Sequence, residues 1–140
     1  MRIFTAIPFT LFTLLIYNGF AFTTAATVPD FWGQPVFTWA MVSGATFELL
    51  ASDLLIAVGL FFLFIEIMKA TRIGTTALLD HMFSVFVFVA YLVEFLTIPQ
   101  AATSVFFILT MIALIDVIAG FSISITGARR DVSFGQPELR

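Results

Sequence analysis

Four apolar stretches, residues 3–22, 47–68, 76–96 and 101–125, dominate the chain and leave few ways to fold it. Crossing the hydrocarbon core of a bilayer takes about 20 residues of helix at about 1.5 Å each, and each stretch is long enough. Lipid offers backbone N–H and C=O groups no water to bond, so a spanning segment must satisfy them internally, as a helix or within a closed barrel. Barrel strands require alternating polarity, which these stretches lack. The sequence therefore predicts an all-α integral membrane protein: a single four-transmembrane-helix bundle over residues 1–128, followed by a short polar tail, residues 129–140.

Composition narrows the function classes. Charged residues make up 11% of the chain, against about a quarter in soluble domains, and mean hydropathy is +1.10. The formal charge of -3 is too small to imply a partner, and the six Lys and Arg residues lie in small groups with no aromatic interleaving, which excludes a nucleic-acid surface. No cysteine is present, so disulfides, thiolate metal sites and cysteine nucleophiles are excluded. One histidine and carboxylates at no ligand spacing give no reason to expect a metal or any other cofactor. Ser84 lies three residues from His81, a spacing too common to mark a nucleophile, and no enzyme motif is found.

Residues 29–43 form the main interruption. The surrounding "TVPDFWGQPVFTWAMVSG" holds two prolines and internal glycine, so it cannot be one clean helix. Trp32 and Trp39 suit anchors at the membrane boundary; residues 30–36 read as an exposed turn and 37–43 as an interfacial lead-in. "TIPQ" between the third and fourth stretches forces a tight antiparallel hairpin, with Pro99 ending one helix. Arg2, Lys69, Arg72, Arg129, Arg130 and Arg140 are all the basic residues, and none falls in either of these two loops. Positive charge is retained on the cytoplasmic side, which predicts both termini cytoplasmic in a plasma (inner) membrane. Residues 3–22 could alternatively serve as a signal peptide, but their apolar run is long enough to span and is expected to be retained.

The ionisable residues sort by depth. Glu48 and Glu94 are expected at the outer rim and Glu66 at the inner one, where water reaches them and Lys69 stands at i+3. Asp53, His81 and Asp116 are expected deep, where an Asp costs about 2.5 to 3.5 kcal/mol on insertion scales and needs protein or trapped water beside it. Counting from the "TIPQ" turn puts His81 and Asp116 at one level, within reach of a hydrogen bond, with Asp80 adjacent. Asp80, Ser84, Tyr91 and Glu94 share a stripe on the third helix. Asp53 points away from the Glu48, Ser52, Gly59 and Glu66 face of the second helix, toward another helix or subunit. Gly59, Gly120 and Ser124 are expected at helix-packing positions, since small residues let backbones approach.

Two functions fit. One is assembly: a self-associating bundle, or an accessory subunit of a membrane complex, whose partners are the lipid bilayer and other copies or subunits. The other is a proton- or cation-coupled transporter or channel using Asp53, His81 and Asp116, because intramembrane ionisable residues mark ion routes. A lipid sensor built on the tryptophan loop is a weaker third.

Overall fold

The computed structural model describes residues 7–71 and 75–133. Four helices account for most of them: α1 (Phe9–Ala21), α2 (Ala51–Ala70), α3 (Thr75–Thr97) and α4 (Ser104–Ser133). Among the described residues three helical segments, Ala51–Ala70, Asp80–Thr97 and Ser104–Ile123, are long and apolar enough to cross a membrane. α1 is shorter. Its 13 residues reach about 20 Å at 1.5 Å per residue, less than the roughly 30 Å of a hydrocarbon core. Pro8 sets its start: in extended conformation (φ -66°, ψ 133°), it precedes the first helical residue. Residues 3–6 of the expected first helix lie outside the described residues.

The all-α expectation needs one amendment. A strand β1 (Pro35–Ala40) pairs antiparallel with β2 (Thr46–Leu50), so the segment between α1 and α2 holds a β-hairpin. β-branched and aromatic residues at Val36, Phe37, Thr38, Trp39, Thr46 and Phe47 favour a pleated ribbon, and Trp39 sits directly opposite Phe47. Gly44 takes the left-handed backbone (φ 83°) that the reversal requires. The hairpin passes into α2 without a linker, and Ala51 N–H donates to the Gln34 carbonyl at 2.9 Å. α2 consequently begins four residues later than the apolar run suggested.

At the other turn, Pro99–Ala101 form a single 3-10 turn and α4 starts at Ser104 instead of 101. Thr103 caps it: its hydroxyl accepts from the Phe106 N–H at 3.2 Å. α4 then continues to Ser133, past Gly127 and into the expected tail.

The helices alternate in direction, and α4 packs against α1, α2 and α3. The stripe Ala51, Leu55, Gly59, Leu63, Glu66, Ala70 of α2 faces inward at steps of three and four. A Cβ on Gly59 would stand 3.0 Å from Leu109 and 3.5 Å from Thr13, so this glycine sets the close approach of α2 to α4 and α1. Large apolar side chains point out: Phe61, Phe64, Phe86 and Leu96 are all exposed. Polar and charged side chains, Glu66, Asp80, His81 and Asp116 among them, are buried instead, as expected where lipid is the solvent.

A candidate functional site in the bundle interior

Where α2 ends, α3 begins and α1 enters, three charged side chains meet. The Lys69 ammonium lies 2.8 Å from Glu66 Oε1 and 2.9 Å from Asp80 Oδ1, and it donates to the Ile7 carbonyl at 3.2 Å. Its approach to Asp80 is an ionic contact off hydrogen-bond geometry. The second Glu66 oxygen accepts the Phe9 N–H at 3.0 Å. That N–H is the first of α1 and has no partner within its own helix, so a carboxylate from α2 caps α1 where the helix dipole favours negative charge. Glu66 and Asp80 are buried. The sequence places Glu66 at a wetted rim, whereas the start of α1 covers it and α4 runs on past the end of α2. The Glu66–Lys69 pair is formed at the expected i+3 spacing, but inside the protein.

One level deeper lies Asp116, also buried. The Thr10 hydroxyl donates to Asp116 Oδ2 at 3.3 Å, and Tyr91 donates its hydroxyl to the Thr10 carbonyl at 3.0 Å. Ser84 stands beside Asp116 without completing a hydrogen bond. His81 does not bond Asp116. It lies one turn further along, over Gly120, where a Cβ would stand 2.7 Å from the imidazole Cε1. The displacement follows from the late start of α4: His81 is sixteen residues from Thr97, and Gly120, not Asp116, is sixteen from Ser104. Buried polar atoms left without a hydrogen-bond partner cost about 1–3 kcal/mol each. Among the described residues they include His81 Nε2, Ser84 Oγ and Thr13 Oγ1.

A second polar group occupies the hairpin end. Tyr17 is wholly buried and donates to the Gln100 carbonyl at 2.7 Å; its oxygen also meets the Thr103 hydroxyl at 2.7 Å. Asn18 donates to Glu94 Oε2 at 3.0 Å. Phe106 separates the two groups, its ring 4.6 Å from Tyr17 and 5.4 Å from Tyr91, with Leu14 and Leu109 buried in the same cluster.

Several expected residues stand elsewhere. Asp53 is exposed in the first turn of α2, and its carboxylate accepts the Leu50 N–H at 3.4 Å. It is a helix-start residue, not a deep one, because the strand consumes the residues that would have placed it lower. Glu48 is exposed on β2, paired across the hairpin with Thr38, while Glu94 turns inward to Asn18. Trp39 is 60% exposed, but Trp32 stacks on Tyr17 at 4.8 Å and 3° and belongs to the core. Gly59 and Gly120 are at close helix contacts; the Ser124 side chain lies outside the described residues.

The α1 contribution lies outside the residues expected from the sequence, since α1 holds no acid or histidine. Thr10, Thr13 and Tyr17 recur at steps of three and four and form its buried face with Leu14 and Ala21. Comparison with protein-family models, with curated proteins and with solved structures gives no match.

Proposed function

We propose that the protein is a small multi-pass membrane protein whose work is assembly, either with copies of itself or as an accessory subunit of a membrane complex. The hairpin carries this reading. Val36, Phe37, Trp39, Met41, Val42 and Phe47 are all exposed on it, although a lone two-stranded ribbon is marginally stable and an apolar patch of this kind marks a contact surface. The buried charges point the same way: Lys69 holds Glu66 and Asp80 in contacts within the chain, leaving the outer helix faces apolar and available. The distribution of Lys and Arg supports both termini on the cytoplasmic side of a plasma membrane.

The test is the state of the purified full chain in mild detergent, read by native mass spectrometry. The expected result is an oligomer or a co-purifying membrane subunit that weakens when Phe37 and Trp39 are both replaced by alanine. A strict monomer with no companion would overturn it.

A proton or cation route is the second reading, favoured by the buried Asp80, His81 and Asp116. It has less support, because Phe106 and the two tyrosine rings fill the interior between the polar groups. Reconstitution with a pH-sensitive dye, comparing the parent with Asp116→Asn, tests it: no flux in the parent, or equal flux in both, removes it.

A further inference from the structure

His81 and Ser84 share one face of α3, one turn apart, and both are more than nine-tenths buried. Each has a polar atom with no hydrogen-bond partner among the described residues, His81 Nε2 and Ser84 Oγ. Across from them, α4 presents Asp116 and the bare backbone of Gly120; from α1 come Thr10, bound to Asp116, and Thr13, whose hydroxyl is also unpartnered.

The inventory does not close by pairing these groups with each other. A carboxylate offers about four acceptor positions, and among the described residues Asp116 receives one hydrogen bond, a long one at 3.3 Å. Tyr91 donates its hydroxyl hydrogen bond to the Thr10 carbonyl, so its oxygen can still accept. The α3–α4 register sets Ser84 near Asp116 but off hydrogen-bond geometry, and Gly120 holds the imidazole one turn away. Unpartnered polar atoms on neighbouring turns of α3 thus stand in the same buried layer as an Asp116 carboxylate with open acceptor positions. Water is the small species that both donates and accepts, and buried water commonly makes about three hydrogen bonds to such groups.

We propose that the interior between His81 and Asp116 is a water-binding site, with Ser84 Oγ, His81 Nε2 and the open Asp116 positions as its ligands. It lies just inward of the Lys69 cluster, beneath the Phe106 layer, and is a closed internal site instead of a length of through-going channel. It is independent of the assembly reading, since it uses no outward-facing residue.

His81 is the sole histidine, so ¹⁵N-histidine labelling of the full chain in detergent micelles gives a single imidazole to observe. The expected result is a cross-peak between the His81 ring and slowly exchanging water, reduced at least twofold in Ser84→Ala and in Asp116→Leu. A ring with no water cross-peak, or a cross-peak that both variants leave unchanged, would overturn the proposal. Should Asp116→Leu fail to fold, Ser84→Ala decides alone. Native mass spectrometry of the same samples reads oligomeric state separately, so failure of one idea leaves the other standing.

Discussion

Lys69 on α2 and Asp80 on α3 form an ion pair at 2.9 Å inside the bundle, and the same ammonium holds Glu66 and the chain entering α1. One cation therefore joins three helices. Removing a single partner of a buried pair leaves uncompensated charge and typically costs about 3–5 kcal/mol. Lys69→Met should accordingly destabilise the protein by about 3 kcal/mol, read by thermal unfolding in detergent. Adding Glu66→Gln and Asp80→Asn should recover much of that loss, because the desolvated charges go with it. Full stability in Lys69→Met alone would mean that the cluster is hydrated and not a clamp.

Gly120 faces the His81 ring, where a Cβ would come within 2.7 Å of Cε1. An alanine there overpacks the α3–α4 contact, at a typical cost of about 1–3 kcal/mol. The loss should largely vanish in the Gly120→Ala, His81→Ala double variant, since the clash disappears with the ring. A double-mutant cycle on unfolding free energies checks this, and additive losses would place the imidazole elsewhere.

Helix positions were legible in this sequence because a long apolar run without alternating polarity suits a helix and not a barrel strand, and the interior ends of α2 and α3 fall close to those the apolar runs suggest. Register was not. The residues "TFELL" extend the apolar run of α2, and a short run of that kind does not distinguish strand from helix. Assigning them to β2 lifts Asp53 into the first turn, and the 3-10 turn after Pro99 moves Asp116 opposite Ser84. Depth counted from a helix end inherits any error in that end, and three residues are nearly a whole turn. The polar face of α1 was visible as Thr10, Thr13 and Tyr17 at helical spacing, but threonine and tyrosine carry no formal charge and attract less notice than acids.

Asp53 and Tyr91 separate surface from interior polarity. Asp53 makes one exposed hydrogen bond at the start of α2, so Asp53→Ala should cost under about 1 kcal/mol, in the lower range for capping contacts. Tyr91→Phe removes a buried bond to the Thr10 carbonyl and should cost about 0.6 to 1.7 kcal/mol, from the average to the maximum measured for polar contacts between membrane helices. Chemical or thermal unfolding of the two variants should rank them in that order. The reverse ranking would place Asp53 in a buried contact after all.

The two tryptophans give an optical readout of the hairpin. Trp32 is stacked on Tyr17 against the core, whereas Trp39 is 60% exposed beside Phe37 on β1. With Trp39→Phe, the remaining emission comes from Trp32 and should be shielded from acrylamide. With Trp32→Phe, it comes from Trp39, and its accessibility depends on what covers the hairpin. If other protein chains cover it, quenching of Trp39 by brominated lipid should be weak in the assembled state and rise several-fold on dissociation. Strong bromolipid quenching that does not change with oligomeric state would mean that the ribbon lies in the headgroup layer, and the assembly surface would then have to be sought on the helix faces.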